Sequence, residues 1–150
     1  MLAGWIGFEP ETVVGRIVMD VELANYTDKI AVREGRMKPD EVRDCVIDGW
    51  VDTGANHVVI PQIVADSLKL PKLNRTKVVF ADGRKTERQV VGDLWLRLCE
   101  REGVFQAVVE PGREDVLIGA IVLETFDLLA DPVGGTCHPR DPVMTLFEIE

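Results

Sequence analysis

Residues 51–61 read VDTGANHVVIP and place Asp52 between two hydrophobic runs. A carboxylate there is costly to keep ionised unless the fold hydrogen-bonds it or uses it. Gly54 lets backbone come close, so that an amide can point at the carboxylate. Thr53 adds a hydroxyl able to brace the loop, and Ala55 leaves room beside it. An isolated Asp-Thr-Gly in a β protein is more often simply a turn. From these four residues alone, Asp52 is either a turn residue or one half of a catalytic pair.

Strand signals surround this loop. In residues 15–25, Ile17, Met19, Val21 and Leu23 share one face at period 2. The charged stretch 26–42 reads as a strand fragment plus an exposed loop around Lys38-Pro39-Asp40. Strand-like composition returns in residues 43–51 and delivers Asp52 at its end; NHVVIP follows as a short apolar strand. Residues 61–71 predict a short helix, with Pro61 in its first turn, Ile63, Val64 and Leu68 inward, and Pro71 as the stop. Residues 77–99 predict a hairpin turning on Asp82-Gly83, a favoured two-residue turn sequence, and then a further strand. GVFQAVVE, residues 103–110, is another strand, followed by a Pro111-Gly112 turn and the apolar strand DVLIG, residues 115–119. AIVLETF forms a second short helix and DLLAD resumes extended structure. Residues 132–142 are loop, and VMTLFEI, residues 143–149, is a last strand. The sum is one mostly-β domain over residues 1–150 with two short helices, closer to a small closed barrel than to a βαβ array.

Asp52-Thr53-Gly54-Ala55 together with Leu117-Ile118-Gly119 resembles the retropepsin-like (retroviral-type) aspartic proteases, in their bacterial and cellular single-lobe branch. In that family an Asp-Thr/Ser-Gly-Ala loop comes first and a hairpin flap follows. A hydrophobic-hydrophobic-Gly segment then threads beside the catalytic loop and leads into a short helix. The order here is the same, and DLLADP is similar to the strand after that helix in bacterial members, so the match runs over residues 15–132. The resemblance implies an all-β fold, a small closed barrel of the retropepsin-like acid protease type with two short helices and a single lobe. It implies Asp52, Thr53 and Gly54 as catalytic positions. Ala55, Phe80, Ala81, Asp82, Gly83, Ile118 and Gly119 become substrate-binding positions.

Peptide hydrolysis of this kind uses two carboxylates that share one proton. Like charges about 3 Å apart do not both ionise, the aspartic-protease dyad being the standard case. The sequence holds one Asp-Thr/Ser-Gly; Ala81-Asp82-Gly83 lacks the hydroxyl residue, and a turn explains it. The resemblance therefore implies a symmetric homodimer in which Asp52 meets its twin on the two-fold axis and Thr53 braces the meeting. A peptide or protein substrate would lie extended beneath the hairpin, with no metal and no cofactor. The alternative is a catalytically silent retropepsin-fold dimerisation or peptide-binding module. Two departures stand out. Retroviral members carry an Arg after the hydrophobic-hydrophobic-Gly segment, which ties the dimer by ion pairs, and here Ala120 stands there. Residues 1–14 also read as an N-terminal extension and 26–42 as a possible insertion. The apolar strand at residues 143–149 would pair either with the partner or within its own chain.

Composition bounds the remaining classes. With 17 basic and 26 acidic residues the net charge is -9, and no Lys/Arg cluster offsets it, so nucleic acid and anionic membrane are not expected partners. No run approaches the roughly 20 apolar residues of a membrane span. The apolar opening lacks a basic start and a cleavage pattern, and a cytoplasmic location is expected. Three scattered cysteines without a CxxC support neither zinc nor a disulfide framework. Cys137 and His138 supply only two adjacent ligands, Cys45 and Cys99 read as buried small hydrophobes, and the tryptophans read as core. His57 lies beside the loop, in a mechanism that needs no histidine, and reads as a loop or surface residue.

Overall fold

The computed structural model describes residues 17–149, so the expected extension at residues 1–14, including Trp5, lies outside the described residues. Strand β1 (Ile17–Asn25) buries Ile17, Val21 and Leu23 on the face that the period-2 pattern selects. Helix α1 (Tyr26–Arg33) follows, and the chain returns through a 3₁₀ turn (Pro39–Glu41) into β2 (Asp44–Val51), which pairs antiparallel with β1. Next come β3 (Val58–Pro61), α2 (Gln62–Ser67), and a long hairpin of β4 (Lys72–Val79) and β5 (Lys85–Leu98). β6 (Arg101–Glu110), β7 (Val116–Ile118), α3 (Ala120–Phe126), β8 (Leu128–Asp131) and β9 (Thr136–Pro139) complete the order.

Six strands close into a barrel in the order β1-β2-β7-β3-β6-β5, with β5 returning to β1 through pairs from Glu22–Arg97 to Asn25–Leu94. Closure leaves these six strands without a free edge. β4 hangs on the outer side of β5 as the second arm of the hairpin. The interior is filled by side chains: Val21, Leu23, Val58, Ile60, Leu94, Leu96 and Ile118 are fully buried. The three-residue β7 lies between β2, which it meets in parallel, and β3, which it touches antiparallel at Val59–Leu117. A barrel of this topology is the expected all-β, retropepsin-like fold.

Several local expectations are corrected, among them Ile63, which faces solvent on α2 rather than inward. Residues 26–33 form a helix rather than a strand fragment, giving three α-helices instead of two. The helix carries only Asp28 and Ala31 as buried side chains, so its sequence has no apolar stripe to announce it. Asn25 caps it, accepting a hydrogen bond from the Asp28 N–H at 3.1 Å. The hairpin tip is a three-residue loop: Phe80 N–H donates to Arg84 O, Gly83 N–H donates to Phe80 O, and Gly83 holds φ +87°. A type I turn followed by a left-handed glycine accounts for it. Within the expected loop 132–142, residues 136–139 pair with β8 as β9. Residues 143–149 form no strand; Asp141 Oδ1 accepts from the N–H groups of Val143 and Met144, and Asp127 Oδ2 accepts from Leu146 N–H. Apolar composition alone does not make a strand without backbone pairing to a neighbour. Cys45 and Cys99 are half-buried rather than buried, whereas Cys137 is buried and desolvation pushes its thiol up to about 11.

A polar knot holds α1 to the barrel. Arg43 grips the buried Asp28 through Nη2 to Oδ1 at 2.7 Å and Nε to Oδ2 at 2.8 Å, and its backbone N–H adds a bond to Oδ2 at 3.0 Å. Asn25 Nδ2 donates to Leu68 O at 2.8 Å and so joins the same corner to the end of α2. The Arg43 hydrogen bonds hold the Asp28 carboxyl below its ordinary range. A carboxyl lowered on folding stabilises fully above its unfolded pKa of about 3.9, and the gain is lost as pH falls through the folded value. Arg43→Met should therefore cost about 2–3 kcal/mol at neutral pH, because it strands a buried carboxylate. Urea unfolding should show that penalty narrowing as pH falls below about 4, where the unfolded carboxyl and then, lower still, the folded one take up a proton.

Candidate active site

Asp52 stands just past the last residue of β2, where Val51 pairs with Ile118. Its backbone is fixed from two sides. Asp52 N–H donates to Ile118 O at 3.0 Å, and Ala55 N–H donates to Asp52 O at 3.1 Å, closing a tight turn. The carboxylate is exposed, and Oδ1 accepts the Gly54 N–H at 2.8 Å. One carboxylate oxygen is thus anchored to its own loop. The Thr53 hydroxyl, also exposed, has no hydrogen-bond partner among the described residues.

The loop and α3 complete each other. The first N–H groups of a helix have no partner inside it. Here Ala120 N–H donates to Ala55 O at 2.7 Å and Ile121 N–H donates to Asn56 O at 2.9 Å. Gly119 makes that approach possible: a Cβ there would lie 2.4 Å from His57 O and 2.7 Å from the backbone of Asn56 and His57. Backbone cannot step aside as a flexible side chain can. Asp52, Gly54, Ala55, Ile118 and Gly119, expected from the sequence to act together, are therefore joined by hydrogen bonds or direct packing.

Phe80, Ala81, Asp82 and Gly83 form the hairpin tip. Among the described residues, neither a hydrogen bond nor an ion pair joins them to the 52–55 loop. Arg84 braces the tip internally, with Nε 2.7 Å from Asp82 Oδ2 and its guanidinium 5.0 Å from the Phe80 ring centre. The Arg84 backbone N–H and then its side chain hold the Asp82 carboxyl below the usual range. Nearer the barrel, Arg88 pairs with Glu110 at 2.9 Å, anchoring the hairpin to β6. The guanidinium groups of Arg84 and Arg88 are thus both engaged in pairs within the chain.

Sequence reading missed the knot of Asn25, Asp28 and Arg43, although Asn25 with Asp28 three residues on is a recognisable helix start. It also kept Cys99 and Cys137 apart; the fold brings the Cys99 thiol to 3.6 Å from Cys137 O. His138 is exposed, its Nδ1 3.1 Å from Pro139 O. Among the described residues no three His, Cys, Asp or Glu side chains gather as a metal site, and no helix is long and apolar enough to cross a membrane.

A family model described as aspartyl protease matches residues 40–122, from just before β2 through the 52–55 loop, the hairpin and β7 into α3. The chain belongs to that family. No curated protein matches it. Membership supports aspartic peptidase activity in general terms. Since Gly119 is enclosed by backbone, Gly119→Ala should destabilise the fold by about 3 kcal/mol or more. Thermal unfolding should show that loss, whereas Gly112→Ala, at a site with nothing near its added Cβ, should change little.

Proposed function

We propose that the protein is an aspartic endopeptidase that works as a homodimer, with water activated between two Asp52 carboxylates, one from each subunit. The observation that carries this reading is the state of Asp52. It is exposed at the barrel surface, fixed by backbone on both sides, and has one oxygen anchored by Gly54 N–H. A charge held so firmly, with no cation paired to it among the described residues, suits chemistry better than stability. The described residues contain one such loop, so a second carboxylate must come from a second copy.

In the dimer the two carboxyls share a proton: the ionised one takes a proton from water, and the protonated one hydrogen-bonds the substrate carbonyl oxygen. Their two apparent pKa values belong to the pair. The exposed, unpartnered Thr53 hydroxyl is available to brace the two loops across the axis. An extended peptide would add main-chain hydrogen bonds along the cleft, and the hairpin of residues 80–83 would close over it. Ala55, Ile118 and Gly119 would form the floor beside the carboxyls.

Wild type should cut an unfolded protein mixture at about pH 4 to 7, with inhibition by a pepstatin-type hydroxyl-bearing peptide mimic, while Asp52→Asn should be inactive. Specific activity should rise with enzyme concentration near the dimer dissociation constant. If both proteins run as dimers and neither cuts, Asp52 serves structure, and a peptide-binding module without catalysis is the correct reading.

A further inference from the structure

The loop that carries Asp52 runs directly into a second feature. A cavity of about 190 Å³ opens beside His57, between the root of the hairpin and β6. Its lining joins the apolar Val90, Ala107 and Val108 to the polar His57, Asn74, Thr76 and Gln106. The side chains of His57, Thr76 and Gln106 have no hydrogen-bond partner among the described residues. Asn74 Nδ2 makes only a long bond to the neighbouring Arg75 O at 3.4 Å. Such a lining offers donors and acceptors together, and no residue in it other than His57 is ionisable.

The position of the cavity ties it to the proposed chemistry. His57 is held in place because its backbone packs against Gly119, the residue that locks the Asp52 loop. Asn74 and Thr76 lie on β4, the arm of the hairpin whose tip is Phe80 to Gly83. The cavity is therefore framed by the fixed loop on one side and the hairpin on the other.

We infer that this cavity selects a neutral carboxamide side chain, glutamine or asparagine, at one position of the bound peptide. The inference rests on the peptide-binding reading of the Asp52 site. A carboxamide supplies one acceptor and two donors, which matches unpartnered hydroxyl, imidazole and amide groups set among apolar side chains. A large apolar side chain would bury those groups without partners, which is unfavourable. A carboxylate would enter a protein of net charge -9 without meeting a lysine or arginine in the lining. Selectivity of this kind arises from what the wrong side chain leaves unpaired.

The test uses the full chain carrying Asp52→Asn and a positional-scanning library of fluorescent peptides. Binding is read by anisotropy, and cleavage sites of the wild type in an unfolded protein mixture are mapped separately by mass spectrometry. At one peptide position, Gln or Asn should bind about five- to tenfold more tightly than Leu, the size of a hydrogen bond or two. Adding Thr76→Val or Gln106→Leu should erase or invert that preference. Equal or tighter binding of Leu at every position, or a preference unchanged in both variants, overturns the inference. Wild-type cleavage without a carboxamide position overturns the inference while the protease reading stands. A carboxamide preference in binding without any wild-type cleavage upholds the inference and removes the catalytic reading. No peptide binding at all overturns the inference, whatever the cleavage map shows.

Discussion

The structure depends on one close backbone approach. Gly119 lies against Asn56 and His57 with no room for a single added carbon, and the first amides of α3 reach Ala55 O and Asn56 O across that contact. The approach also seats β7 between β2 and β3, so that the barrel closes and Asp52 N–H donates to Ile118 O. Closure of the sheet, capping of α3 and orientation of the Asp52 turn are consequences of the same contact.

Away from this centre, polar side chains tether the peripheral elements. Arg43 and Asp28 hold α1, and Arg88 with Glu110 holds the hairpin root. Arg101 donates to Phe126 O at 2.5 Å and also to Asp141 O, while Arg140 pairs with Asp127 at 2.9 Å, so the segment after β9 lies along the barrel without entering the sheet. The hairpin tip differs: its bonds are internal, and its root is fixed. This arrangement suits a cover that moves about its base, because motion of the tip breaks no bond to the barrel.

The segment 143–149 keeps Val143, Met144, Leu146, Phe147 and Ile149 exposed. That segment joins no strand among the described residues. The single Asp52 loop is likewise one half of the chemistry proposed for it. The homodimer proposed above would supply the other half of that chemistry and a partner surface for this segment.

The sequence by itself determined the strands with clean alternation, the helices at α2 and α3, and the two segments that meet at the Asp52 loop. Those features are local: period, a proline stop, and an Asp-Thr-Gly-Ala loop followed later by Leu-Ile-Gly. The family match to residues 40–122 agrees with that reading. What it missed was set by pairing and burial. α1 lacks an apolar stripe, and its place depends on Arg43, fifteen residues after Asp28. β9, which is Thr-Cys-His-Pro, exists because it pairs with β8, whereas residues 143–149, far more apolar, pair with no strand. The His57 cavity is assembled from four separate stretches of chain. Local patterns fix which conformations are available, but a strand, a buried ion pair or a pocket is a relation between distant residues, and only closure of the barrel decides which of them meet.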